Sequence, residues 1–196
     1  METVHSENYK GYEIEIYQSE EPDNPNEWND DIFLVYDHRD FFVKKEGFDP
    51  TFLYEEIWNK NKFTYQGYWV LGVEAYIHSG VSLALKGSKK AAMFPDRRWD
   101  VSFKGFILVK RTKGTWTSEA AIATANASLK DWNNYLSGNI YGYEIEELGE
   151  SCGGYYGDYN EGALKEAREI IDYVLKEKNN GENSLVETAD IAATLG

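Results

Sequence analysis

The sequence predicts an α+β fold, a mainly antiparallel sheet with two long amphipathic helices and one short helix packed on one face. Several segments alternate polar and apolar residues with the period of two expected of half-buried strands, and two segments repeat apolar residues at the period of an α-helix. Strand and helix patterns do not alternate regularly, as they would in a parallel sheet. For 196 residues with 42% hydrophobic content, we expect a single domain over residues 1–178 and a weakly ordered C-terminal tail over 179–196.

The first part of the chain predicts two strands joined by a long loop. In GYEIEIYQ, Glu13 and Glu15 fall on one face and Ile14 and Ile16 on the other. The segment SEEPDNPNEWNDD is rich in Pro, Asn and Asp, which favour turns, and the apolar segment IFLVYD after it predicts the next strand.

Three segments predict helices. Asp49 suits an N-cap and Pro50 the first helical position, so a short helix is predicted over about residues 50–61. A long helix, capped at its end by Gly138, is predicted by the spacing of Ile122, Ala125, Leu129, Trp132 and Leu136. A second long helix, ending near residue 178, is predicted by the spacing of Leu164, Ala167, Ile171 and Val174.

The remaining apolar segments predict strands. YQGYWVLGVEAYIHSGVSLAL is dense in aromatic and β-branched residues and predicts two strands with a turn or bulge at HSG. KGFILVK and IYGYEIEE predict one further strand each.

The net charge of −14 is unevenly distributed along the chain. Residues 1–31 contain ten acidic residues and one basic residue, and residues 138–196 contain thirteen acidic and four basic residues. Residues 86–113 contain nine basic and two acidic residues. These charges disfavour direct binding of nucleic acid and favour a basic protein as the partner.

Two interpretations of each charged region remain open. The acidic ends either imitate a phosphate backbone toward a DNA-handling protein or form an ordinary solvated face. The basic segment KGSKKAAMFPDRRW either holds a phosphate, with Arg97 and Arg98 as candidate ligands, or pairs with the acidic ends of its own chain. The candidate interaction residues are Glu13, Glu15, Glu20, Glu21, Asp23, Glu27, Asp30 and Asp31.

The candidate catalytic residues are Cys152, the single cysteine, and His78, a base that could generate its thiolate. Ser79 and Tyr141 are further candidates for a ligand pocket around them. Alternatively, Cys152 is a small apolar residue in a close-packed turn, because the glycines of SCGGYYG suit tight backbone geometry. The spacing of these residues does not decide between the two interpretations.

No metal site or cofactor is predicted. P-loop, GxGxxG, HExxH and EF-hand patterns are absent from the sequence, and DNPNEWND lacks the glycine and final glutamate of a calcium loop. One cysteine forms neither an internal disulfide nor a thiolate zinc site. No apolar run reaches the roughly 18 residues of a membrane span, and the N-terminus lacks a signal-peptide pattern, so a cytoplasmic protein is expected.

Seven motifs follow one another along the chain: YKGYEIEIYQ, EPDNPNEWND, YDHRDF, YIHSG, P...WD.S..GFI.V, YLSGNIYGYEIE and SCGGYYG, within a match that covers roughly residues 9–175. In this order they resemble a family of acidic proteins of unknown function from bacteriophages and mobile elements. Members of that family carry an aromatic residue after the cysteine and a further cysteine before WD. This chain has Gly153 at the first position and no cysteine in FPDRRWD, so paired-thiol chemistry is not expected.

The resemblance implies a protein of the host-cell cytoplasm and supplies no catalytic residues. It favours a non-enzymatic interaction protein that blocks a basic site on a host nucleic-acid-handling or defence protein. The alternative is a small enzyme, or a binder of a small ligand or nucleotide, with a pocket near His78 and Cys152.

Overall fold

The computed structural model describes the backbone of residues 2–28 and 30–194, and their side chains up to Lys178 and at Asn180. These described residues form ten strands and four α-helices. In chain order the elements are β1 (Glu2–Tyr9), β2 (Tyr12–Gln18), β3 (Ile32–His38), β4 (Phe41–Val43), α1 (Pro50–Phe52), β5 (Thr64–Tyr65), β6 (Tyr68–Ile77), β7 (Val81–Leu85), α2 (Lys89–Ala92), β8 (Val101–Lys110), α3 (Ser118–Leu136), β9 (Ile140–Ile145), β10 (Glu150–Tyr156) and α4 (Ala163–Thr194).

The expected α+β class with antiparallel strands is confirmed, but the strands form two sheets. Where the sequence predicts one domain over residues 1–178, the chain divides into two compact units, residues 1–20 with 140–196 and residues 21–139. Each sheet buries its own apolar core against its own helices. Because the apolar side chains of each unit are buried within that unit, the contacts between residues are concentrated inside the units.

The first unit contains a four-stranded sheet in the order β1-β2-β9-β10. The alternation predicted for β2 is confirmed, since Ile14 and Ile16 are fully buried while Glu13 and Glu15 are exposed. Helix α4 covers the apolar face with Ala163, Leu164, Ala167 and Ile171. The opposite face of this sheet is polar.

Helix α4 is longer than the helix predicted to end near residue 178, because its backbone is helical to Thr194. The weakly ordered tail predicted over residues 179–196 lies mostly outside the residues whose side chains the structure describes.

The second unit contains a six-stranded sheet in the order β4-β3-β8-β6-β5, with β7 also paired to β6. On β3, Leu34 and Tyr36 pack in one core with α3, while Phe33 and Val35 pack in another with Leu53. Because successive strand residues point to opposite faces, helical segments cover both faces of this sheet. The prediction that the helices pack on one face is therefore wrong here, and the near-continuous apolar run of β3 is the reason.

Two helix predictions differ in detail from the structure. The Asp49 cap is confirmed, because its carboxylate accepts the Phe52 backbone N–H at 2.8 Å, but the α-helix that follows ends at Phe52 and continues as a π-helix over Leu53–Trp58. In α3, Ile122 is exposed, and Ala121 takes the buried place assigned to it. The buried stripe therefore begins one residue earlier than the spacing predicted.

Candidate functional site

The net charge is concentrated in the first unit. Residues 1–20 and 140–196 contain eighteen acidic and five basic residues, a net charge of −13. Residues 21–139 contain sixteen acidic and fifteen basic residues, a net charge of −1. Almost the entire negative charge of the protein thus belongs to one small sheet and its helix.

Part of this charge lies on the polar face of the first sheet. Glu13 and Glu15 of β2 point away from the face that α4 covers, and Glu144 of β9 stands directly across from Glu15 in the strand register. Glu146 and Glu147 follow in the 3₁₀ turn after β9. These five glutamates line a depression of about 440 Å³ and are called the acidic face below.

The acidic face has no counter-charge of its own. Among the described residues, no lysine or arginine nitrogen lies within 4.0 Å of any of the five carboxylates. Their contacts are neutral donors: the Ser6 hydroxyl donates to Glu13 at 2.9 Å, and the Glu13 backbone N–H donates to Glu147 at 3.2 Å. Like charges directly opposite each other on a sheet are destabilising, so this arrangement works against the stability of the fold.

An ion pair between β1 and α4 lies on the other face of the first sheet. Glu7 of β1, opposite Ile14 in register, accepts two hydrogen bonds from Arg168 of α4 at 2.7 and 2.6 Å. These hydrogen bonds hold the pKa of Glu7 below its ordinary value. The unit therefore neutralises a carboxylate beside its helix and leaves the acidic face unpaired.

The eight candidate interaction residues do not form one group. Glu13 and Glu15 lie on the acidic face, and Glu20 also belongs to the first unit. The others belong to the second unit: Glu21, Asp23, Glu27, Asp30 and Asp31.

Two of those carboxylates have cationic partners within the chain. Lys45 lies 2.5 Å from Asp30 and Lys110 lies 2.6 Å from Asp31. The hydrogen bond from Lys45 holds the pKa of Asp30 below its ordinary value. Lys110 lies outside KGSKKAAMFPDRRW, and among the described residues the ion pairs from that segment, those of Lys86 and Arg97, go to Glu74 rather than to the acidic ends.

The acidic face also contains residues that the candidate set did not include, namely Glu144, Glu146 and Glu147. The alternation in IYGYEIEE was a local sign that Glu144 is exposed. The pairing of β9 with β2, which brings it beside Glu15, has no such local sign.

Cys152 lies in a strand rather than in a turn. It is exposed on β10, and the register between β9 and β10 shifts between Cys152 and Tyr155. Gly154, in this bulge, has a φ of +84°, a conformation that favours glycine. The prediction of a turn is therefore wrong, but backbone geometry does explain this glycine.

The candidate nucleophile and base belong to different units. The Cys152 sulfur lies 3.8 Å from the Gly153 carbonyl oxygen, whereas His78 lies in the second unit with its Nδ1 3.2 Å from an Asp100 carboxylate oxygen. The other pocket candidates divide in the same way, with Tyr141 in the first unit and Ser79, Arg97 and Arg98 in the second.

Arg97 and Arg98 are not arranged as a pair of phosphate ligands. Arg97 donates to the buried Glu74 carboxylate at 2.8 Å and to the Ala91 carbonyl oxygen, so its guanidinium is engaged by the fold. Arg98 lies over the ring of Trp99, 5.1 Å from its centroid. Basic charge in this segment is therefore partly used to hold a buried carboxylate.

Comparisons with known proteins identify no relative of this chain. No protein-family model, curated protein or solved structure matches the chain. Among the described residues, no three histidine, cysteine, aspartate or glutamate side chains converge as metal ligands would. No helix in the same part of the chain combines the length and apolar character needed to span a bilayer.

Proposed function

We propose that this chain is a non-enzymatic interaction protein whose acidic face binds a basic site on another protein. The observation that carries the proposal is the unpaired state of the five glutamates. Three lie on one face of the first sheet and two follow in the 3₁₀ turn, and among the described residues no lysine or arginine nitrogen lies within 4.0 Å of them. A face that opposes stability in the free protein gains favourable interactions when cations of a partner approach it.

The geometry of the acidic face favours a partner that normally binds phosphates. Residues two apart on a strand are separated by about 6.8 Å, and neighbouring strands lie about 4.8 Å apart. Glu13, Glu15 and Glu144 thus present carboxylates in a two-dimensional array over two strands. A protein site lined with lysine and arginine for a nucleic-acid backbone can contact several of them at once.

The resemblance to proteins of bacteriophages and mobile elements supports a finer proposal. In that setting the partner is a host nucleic-acid-handling or defence protein in the cytoplasm, and the chain acts by occupying its basic site. Catalysis is not required for this action. The alternative function, with a pocket near His78 and Cys152, depends on residues that belong to different units.

The proposal is tested by affinity capture from bacterial lysate followed by mass spectrometry. The test variant carries Glu15→Gln, Glu144→Gln and Glu146→Gln on the acidic face. The matched control carries three substitutions of the same type at exposed acids of the same unit that lie outside that face, Glu161→Gln, Glu169→Gln and Glu177→Gln.

We expect the natural chain and the control to capture the same basic protein, and the acidic-face variant to lose it. Raising the salt to about 0.5 M should release the partner, because exposed charges are strongly screened at that ionic strength. Capture that survives both the acidic-face substitutions and high salt would contradict the proposal, as would equal loss in the control.

A further inference from the structure

A second cavity lies in the second unit, beside helices α2 and α3. It has a volume of about 280 Å³, and its lining includes Leu83 and Ala84 of β7, Lys90 of α2, and residues of α3. The apolar part of the lining is Leu83, Ala84 and Leu129, and the polar part contains lysine and asparagine side chains. No acidic residue lines this cavity in the described part of the chain.

Two lysines from different helices meet at this cavity, Lys90 and Lys130. Among the described residues, neither lysine has a carboxylate within 4.0 Å. By contrast, Lys86 of the basic segment and Lys110 at the end of β8 are both ion-paired. Both lysines are exposed, so their ammonium groups are open to a ligand from solvent, although desolvation by neighbouring groups lowers the pKa of Lys90.

The asparagines of the cavity have different hydrogen-bonding states. Asn133 is fully engaged, because its Oδ1 accepts the Leu83 backbone N–H at 2.7 Å and its Nδ2 donates to the carbonyl oxygens of Leu83 and Leu129. It fixes α3 against β7. Asn134 differs, since its buried Nδ2 has no hydrogen-bond partner. This nitrogen has almost no accessible surface, so a ligand that enters the cavity does not contact it in this conformation.

We propose that this cavity binds a small phosphate monoester, with Lys90 and Lys130 at the phosphate and the organic group against Leu83 and Leu129. A phosphate monoester approaches a charge of −2 near neutral pH, which two ammonium groups balance. The cavity is about nine times the roughly 30 Å³ that one water molecule occupies in the liquid, so it has room for an organic group as well. The apolar wall offers that group a surface to bury.

This inference is independent of the acidic face. The cavity belongs to the second unit and the acidic face to the first. It also differs from the phosphate ligands that the sequence suggested. Arg97 is engaged by Glu74, whereas the lysines that line the cavity are Lys90 from the same segment and Lys130 of α3.

The experiment measures binding to the full chain by isothermal titration calorimetry and by amide chemical shifts. The probes are glucose 6-phosphate and adenosine monophosphate, with orthophosphate and glucose as reference compounds. The variants are Lys90→Gln, Lys130→Gln and the double substitution. Lys113→Gln is the matched control, because Lys113 is exposed, lies in the basic region 86–113 and does not line the cavity.

We expect at least one monoester to bind, glucose not to bind, and orthophosphate to bind more weakly than the ester. Each cavity substitution should weaken binding about tenfold, as expected for loss of one charge-assisted contact. The double substitution should remove detectable binding and Lys113→Gln should have no effect. In the natural chain, the side-chain amide signals of Asn126 and Asn134 should shift on titration, which tests the location without any variant.

Three results would overturn the inference. The first is no binding of either monoester at about 10 mM, a concentration above the dissociation constant of even weak specific ligands. The second is equal weakening by Lys113→Gln, which would indicate general charge attraction. The third is shifts confined to residues away from the cavity. Orthophosphate that binds as tightly as the esters would refute the part assigned to the apolar wall.

Discussion

Removing the charge of a glutamate that faces another glutamate across the strands of the acidic face should make the protein more stable. Glu15 and Glu144 are direct cross-strand partners, and Glu13 lies two residues from Glu15 on the same strand. In Glu15→Gln the side chain keeps its size and its ability to accept a hydrogen bond from Thr3, but it loses its charge. The substitution therefore isolates the repulsion between carboxylates.

The size of the effect follows from the sheet spacing. Carboxylates about 6 Å apart in water repel by about 0.7 kcal/mol, and a second neighbour at about 7 Å adds about 0.6 kcal/mol. At low salt we therefore expect Glu15→Gln to stabilise the first unit by about 1 kcal/mol. In about 1 M salt the screening length falls to about 3 Å, and less than about 0.2 kcal/mol should remain.

The assay must report on the first unit. All six tryptophans lie in residues 21–139, so tryptophan fluorescence follows the second unit. Hydrogen exchange at the backbone amides of the buried Ile14 and Ile16 gives the opening free energy of the first sheet instead. We expect these amides to exchange more slowly in Glu15→Gln than in the natural chain at low salt, and at nearly the same rate in the two proteins at high salt. Faster exchange in Glu15→Gln, or a gain that salt does not reduce, would refute the claim that the acidic face is electrostatically strained.

Two further predictions concern the second unit. Arg97→Met leaves the buried Glu74 carboxylate with a single cation, so we expect a loss of about 2 kcal/mol in urea unfolding followed by tryptophan fluorescence. Burial acts to raise the pKa of Glu74, but hydrogen bonds from Arg97 and Lys86 hold it below the ordinary 4.5. The stabilisation that the ionised Glu74 provides is therefore complete above pH 4.5 and is lost as the pH falls through the lowered pKa. Arg97→Met should flatten that acid dependence, and an unchanged profile would contradict it. Gly105→Ala should cost at least about 2 kcal/mol, because its Cβ would lie 2.0 Å from the Tyr36 ring, whereas Gly114→Ala, with its nearest atom at 3.9 Å, should be nearly neutral. Equal stability of the two alanine variants would show that the sheet relaxes around position 105.

The faces of individual strands could be predicted because they depend on neighbouring residues alone. Alternation in GYEIEIYQ correctly placed Ile14 and Ile16 inside and Glu13 and Glu15 outside. The preceding strand β1 was missed because its sequence, ETVHSENY, is polar and it lies at the edge of the sheet. Its position depends on pairing with β2, which no local pattern expresses.

The turn predicted around Cys152 was wrong because it was inferred from residue composition alone. Three glycines suggested a turn, but β10 pairs with β9 on both sides of a bulge, and the backbone hydrogen bonds of the sheet require no particular side chains. The candidate pair of Cys152 and His78 likewise depended on a spatial relation that sequence spacing does not contain.

The sequence by itself determined the net charge, the solvent-facing side of β2 and the Asp49 cap of the short helix, because each depends on residue type and near neighbours. The tertiary structure decided that the middle of the chain, where acidic and basic residues nearly balance, folds as its own unit, so that a net charge of −13 belongs to the other unit. It also decided that Glu15 stands against Glu144. Charge adds along a chain without regard to shape, but the attraction that a partner experiences depends on which carboxylates the folding of distant strands brings together.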